Sequence, residues 1–282
     1  MKAALLLVLA GLATAPAPPS TETPVESPAE TRVSTPAAAA PAACAPVLPV
    51  LPPYERLAFD VYYQWGLLWV NAGDLNLTLQ QSPLPGDPNG PHYPHAVARA
   101  VTAGRVHRLF PVNDRYETWF EPGSVLPRHF IRDISEGKAR FYWEYKFQQP
   151  NGSVWYKHWS KTRNQEGYID GVNGCSLDLF STLYHLRSID WSQYRPGQRV
   201  PLDLIVDGKP LRISVEFLRR ERIKTKLGYT DCLVLSPQLV TGEYFKTSDG
   251  LTLWLSDDQR RLPVRCEAKI LVGALKADLL PG

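Results

Sequence analysis

The residues of this 282-residue chain that could do chemistry are carboxylates, histidines, cysteines and a dense set of aromatic rings. Asp257 and Asp258 are adjacent, and neighbours on extended backbone point to opposite faces, so they do not make the facing carboxylate pair of a glycosidase. A turn role suits them, because Asp side chains bond backbone groups just downstream. His92 and His95 are three apart, but Tyr93 and Pro94 between them place the pair in a loop. His107, His129, His158 and His185 are scattered with no carboxylate cluster beside them, so no metal ligand is assigned and no cofactor is expected. Cys175 precedes a helix whose dipole could lower a thiol pKa, yet no base accompanies it. GxSxG, HExxH, GxGxxG and phosphate-loop patterns are absent. No catalytic residue is assigned, and the chain leans away from an enzyme.

Two weaker signals remain. Arg105, His107 and Arg108 precede an apolar Leu109-Phe110-Pro111, after which Asp114 and Arg115 open the next strand. These two are candidate rim charges, either for an anionic ligand or as an Asp-Arg pair in a solvated turn. The rings are the second signal: Phe141, Trp143, Tyr145 and Phe147 line one face of a strand, and the next strand adds Trp155, Tyr156 and Trp159. Phe141, Trp143, Tyr145, Trp155 and Trp159 are candidate ligand contacts, with core packing as the alternative. The connection Trp65-Gly66-Leu67-Leu68-Trp69 is unusually apolar for a turn, and either packs down or meets a partner.

The elements that must position these residues are mainly strands. Val264, Cys266, Ala268 and Ile270 alternate with Arg265, Glu267 and Lys269, the period of a half-buried strand. Leu251 to Leu255 before it, and Leu275, Ala277 and Leu279 after it, complete an antiparallel meander. Phe59, Val61 and Tyr63 with Leu75, Leu77 and Leu79 form a first hairpin, and further strands recur about every ten residues, divided by turns such as Asn151-Gly152 and Asp207-Gly208. One segment breaks the pattern. Leu179, Phe180, Leu183, Tyr184 and Leu186 fall at spacings of three and four, with Ser176 as N-cap. About twelve strands and one short covering helix make an all-β domain, and so large a sheet must curl, which predicts a strongly curved half-barrel or open barrel.

Residues 1–15 carry Lys2 and then an apolar run closing on small residues, a short secretory signal. Residues 16–53 are a Pro/Ala-rich spacer too poor in apolar surface to order itself, and 54–282 form one folded domain. Of the formal net charge of +3, Lys2 contributes one positive charge and the spacer a net two negative ones, leaving +4 on the folded part. That is mild, so no nucleic-acid partner is expected. Cys232 and Cys266 are either a disulfide or buried thiols.

The segments YERLAFDVYYQWGLLWVNAGDLNL, VNDRYETWFEPGSVLPRHF, LFSTLYHLRSID and LTLWLSDDQRRLPVRCEAKILVGALKADL together resemble the bacterial envelope family known as domain of unknown function 3108 (DUF3108). Trp254, Asp257, Asp258, Arg261, Pro263 and Gly273 stand where that family's pattern places them. The resemblance implies export to the periplasm or outer membrane and a mostly β domain, with no established activity. With the ring density and the missing catalytic templates, it leads to an expected non-enzymatic periplasmic protein that holds a lipid, an acyl chain or another amphiphilic envelope component. Peripheral membrane association is left open, as is oligomeric state. A glycan-binding module using Trp65, Trp69 or Trp155, a structural assembly protein and a hydrolase are the alternatives.

Overall fold

The computed structural model of the chain describes residues 51–148, 151–238, 250–269 and 273–282. The expected leader, Cys44, nearly all of the spacer, Ile270 and the side chain of Trp65 lie outside the described residues. Among the described residues, fourteen strands form one antiparallel sheet. The first eight are β1 (Glu55–Trp65), β2 (Leu68–Pro83), β3 (His92–Thr102), β4 (Asn113–Phe120), β5 (Pro127–Glu136), β6 (Ala139–Gln148), β7 (Ser153–Ser160) and β8 (Asn164–Asp170). The other six are β9 (Arg199–Val206), β10 (Lys209–Thr225), β11 (Gly228–Pro237), β12 (Leu251–Ser256), β13 (Pro263–Lys269) and β14 (Ala274–Leu279). A six-residue helix α1 (Gly104–Leu109) has no fully buried residue, only Val106 packing partly against the core, and α2 (Leu179–Ser188) is the helix the apolar spacing predicts.

The strand order is two consecutive meanders, β1 to β8 and β9 to β14, joined where β1 pairs with β14. β8 and β9 are the sheet edges. Period-two alternation explains the faces: Val264, Cys266 and Ala268 of β13 are buried, while Arg265 and Glu267 are half-exposed and Lys269 is exposed. The meander expected at the C-terminus is present, with Cys266 opposite both Leu253 of β12 and Ala277 of β14. Asp258 makes its turn, accepting hydrogen bonds at Oδ1 from the backbone N–H groups of Arg260 and Arg261 and from the Ser256 hydroxyl.

The sheet curls around α2. This helix reaches β4 through Phe120, whose ring lies 5.3 Å from that of Tyr184, and β1 through the Arg187–Glu55 ion pair. The residue before its cap, Leu177, forms a parallel bridge to Leu204 on the β9 edge. Strands far apart in the sheet order thus meet one helix, which a flat sheet could not provide. The β9–β10 turn closes the curl from the other side. Asp207 and Gly208 both have positive φ, the two-residue turn that suits hairpin twist. Asp207 pairs with Arg132 of β5, and the Gly208 N–H donates to the Tyr145 hydroxyl of β6 at 3.0 Å. The seam therefore meets β5 and β6 rather than edge β8, leaving the sheet open.

The helix cap differs from the one expected. Asp178, not Ser176, caps α2, because its carboxylate accepts from the Phe180 and Ser181 N–H groups at 2.7 Å while the Ser181 hydroxyl accepts from the Asp178 N–H. The Thr118 hydroxyl of β4 also donates to this carboxylate, at 3.0 Å. Ser176 instead donates to the Asn173 carbonyl. Asp178→Ala is expected to cost about 2 kcal/mol, the upper end for a lost N-cap, read as a lower urea midpoint with the unfolding slope unchanged. Asp178→Asn, which keeps an acceptor, should cost less.

Candidate functional site

At the C-terminal end of α2 the curled sheet leaves a cleft of about 510 Å³, in the size range of small-molecule sites. Leu51, Pro52, Tyr54 and Val125 give it apolar walls, and α2 contributes Tyr184, Arg187 and Ser188. Glu55 and Arg56 enter from β1, Gln259 and Arg260 from the β12–β13 turn. Arg187 and Glu55 form a bidentate pair at 2.7 Å for both contacts, with each side chain only 8% exposed. Arg187 Nη2 also donates to the Arg260 carbonyl, and Arg261 Nη1 donates to the Arg187 carbonyl, so the turn after β12 grips the helix end. Glu55 is thereby committed, whereas Arg56 and Arg260 form no ion pair with a described residue. Among the described residues the buried Tyr184 hydroxyl and Arg187 Nε have no hydrogen-bond partner. Two cations, an apolar wall and an unsatisfied donor suit an anionic group attached to an apolar body.

The candidate ring contacts do not gather in one place. The pairing of Trp143 with His158 and of Lys146 with Trp155 puts Phe141, Trp143 and Tyr145 on one face and Trp155 and Trp159 on the other. Trp143 and Tyr145 are buried, and Trp143 stacks on His158 with centroids 4.1 Å apart. The Arg132 guanidinium lies 5.1 Å from the Phe141 ring. Outside, the Lys146 ammonium sits 4.5 Å over Trp155, whose Nε1 donates to Glu166, so this ring is not a bare platform for a sugar. Trp159 is half exposed.

The expected rim charges also separate, because successive strand residues face opposite sides. Arg115 is half exposed and pairs with Glu117 at 2.8 Å, whereas Asp114 is fully buried and accepts from the Ser135 N–H. Asp114 is thus no rim residue. Burial, and then the neighbouring Glu136 charge, push its carboxyl up to about 8.

Sequence reasoning missed two His–carboxylate pairs, His95–Glu117 at 3.0 Å and His129–Glu144 at 2.9 Å, flanking Trp119. Strand register brings them together, so only correct hairpin pairing would have shown them. Burial opposes ionisation of Glu117, and the His95 hydrogen bond with the Arg115 charge outweighs it, leaving the carboxyl below its ordinary value. Both histidines are buried and neither lines the cleft. Cys232 and Cys266 lie on strands separated by β12 and are buried thiols, not a disulfide, and burial pushes Cys232 up to about 12. Cys175 is disulfide-bonded and so is no nucleophile.

Each residue of the C-terminal signature has a structural task. Trp254 Nε1 donates to Glu221 at 2.6 Å, Asp257 pairs with Arg220, and Pro263 sits opposite Leu255 at a register shift. Arg261 adopts φ 44° within the turn that grips α2. Gly273 has φ 82°, and a Cβ there would lie 2.4 Å from the Gln64 carbonyl. Strand order, enclosed helix and open seam define a barrel-like antiparallel β protein with a cleft at the helix end. The chain belongs to the family described as protein of unknown function (DUF3108), whose model matches residues 58–280. A crystal structure of a β-barrel-like protein of domain of unknown function DUF1849 from Brucella abortus has a similar fold, with a TM-score of 0.51 at 10% identity, covering 83% of this chain and 97% of that one. None of the curated proteins compared with the chain matches it.

Proposed function

We propose that the chain is an exported, non-enzymatic envelope protein that binds an amphiphile in the cleft at the end of α2. The observation that carries this reading is the pairing of apolar walls with Arg56 and Arg260, two cations that form no ion pair with a described residue. An acyl or other apolar group lies against Leu51, Pro52 and Val125, and its anionic end meets the arginines. The buried ring face stays with the core, since Trp143 and Tyr145 are committed to packing. The Cys175 disulfide supports export, because such bonds persist in oxidising compartments.

Mass spectrometry of protein purified without detergent from its native envelope should find an anionic amphiphile bound one to one. Arg56→Glu with Arg260→Glu should weaken its binding about tenfold, equivalent to ~1.4 kcal/mol. Delipidated protein that binds no fatty-acid or lysophospholipid probe would sink the proposal.

A further inference from the structure

The two hairpin tips at the far end of the barrel form a second apolar surface. The β1–β2 turn ends in Leu67 and Leu68, which are 97% and 72% exposed, followed by the partly exposed Trp69 and Val70. The β10–β11 tip brings Leu227 and Tyr229 beside it, with Tyr229 69% exposed. A chain of contacts links the two tips: the Lys276 ammonium lies 4.7 Å from the Trp69 ring and 5.3 Å from the Tyr62 ring, and the Lys226 ammonium lies 5.3 Å from Tyr62.

A solvated turn would not normally carry two leucines, a tryptophan and a valine in succession. Here Leu67 lies in the turn and Leu68, Trp69 and Val70 open β2 with their side chains exposed, outside the buried core. Lys226 and Lys276 lie against rings and are each tied to a carboxylate, Lys226 to Asp60 and Lys276 to Asp278 at 3.6 Å, with the Lys276 side chain only 19% exposed. Lys224 on the same hairpin has no carboxylate partner among the described residues, and Arg222 pairs with Asp231 at 3.8 Å. An exposed Trp and leucines beside the exposed, carboxylate-free Lys224 match the boundary between acyl chains and anionic head groups.

We infer that the paired tips are a docking surface for an anionic lipid bilayer. Leu67, Leu68 and Trp69 enter the interfacial layer while the exposed Lys224 meets lipid phosphate. β1 runs from the cleft at Glu55 to this tip at Trp65, so the docked chain holds the cleft roughly 33 Å above the bilayer, at the strand rise per residue. The inference is independent of what the cleft holds.

The test is flotation of the full chain, as processed by the exporting cell, with vesicles of phosphatidylcholine mixed with phosphatidylglycerol and with phosphatidylcholine alone. The protein should float with the mixed vesicles and much less with the neutral ones. Leu67→Ser, Leu68→Ser and Trp69→Ser together should lower partitioning about tenfold or more, and Lys224→Ala should lower it about fivefold. Leu67→Asp alone, at a side chain open to solvent, gives a variant whose thermal melt should not move. Arg56→Glu with Arg260→Glu should float like the unsubstituted protein, which separates this surface from the cleft. Equal flotation of the tip variants and the parent overturns the inference. So does a parent that ignores both vesicles, including one that self-associates through the tip.

Discussion

Arg187→Ala is expected to destabilise the protein by about 3–5 kcal/mol, the cost of leaving a buried carboxylate without its partner. Glu55 loses both hydrogen bonds, and the helix end loses its tie to the β12–β13 turn through the Arg260 carbonyl. Urea unfolding should show a large drop in midpoint. The matched change of Glu55→Leu with Arg187→Met should recover most of the loss, because a well-packed apolar pair avoids desolvating two charges. A small loss in Arg187→Ala, or none of it recovered in the double variant, would show that the pair is not the contact that seats α2. The same variant should bind anionic amphiphiles less well, since it removes a cleft cation.

The second large effect is a fall in stability as pH rises from about 5 to about 8. Asp114 is raised in the folded state by burial and by Glu136, to about 8. The native protein therefore keeps a proton that the unfolded chain has released once the pH passes its ordinary carboxyl value. Between those two values the native state binds more protons, so stability declines with pH, at up to about 1.4 kcal/mol per unit for one proton. Above the raised value both states are ionised and the decline ends. Urea midpoints across this range should decline, with burial holding Asp178 up to about 7 and adding to the fall, and Asp114→Asn should remove the part that extends toward about 8. A flat profile in the parent would remove Asp114 as the titrating group.

The curved all-β architecture was legible because its strongest stretch, Leu251 to Leu279, alternates cleanly and has a polar turn in which Asp258 can bond backbone groups. β8 was harder to see: Asn164–Asp170 is an edge strand with one buried residue, Ile169, so it carries almost no alternation. α1 is too short and too exposed to leave an apolar period. Faces were legible within a strand but not between strands. Phe141, Trp143 and Tyr145 share a face as their spacing predicts, yet register with β7 turns His158 and Tyr156 toward them and Trp155 and Trp159 away. The cleft left no local trace, since its residues come from Leu51 to Arg260 and meet only when the sheet wraps around α2.

The strand order also sets a sequence of events for a chain that emerges N-terminus first. β2 through β8 can each zip onto the strand before it, and β10 through β14 likewise, so nearly every pairing is local and quick. The exception is the β1–β14 seam, where Phe59 must wait for Leu279. Until the last strand has been made and has paired, an eleven-residue strand presents a bare ladder to any neighbouring chain. A product truncated before Ala274 keeps that hazard permanently. The final few residues therefore act as the latch that makes the nascent protein safe from its own copies.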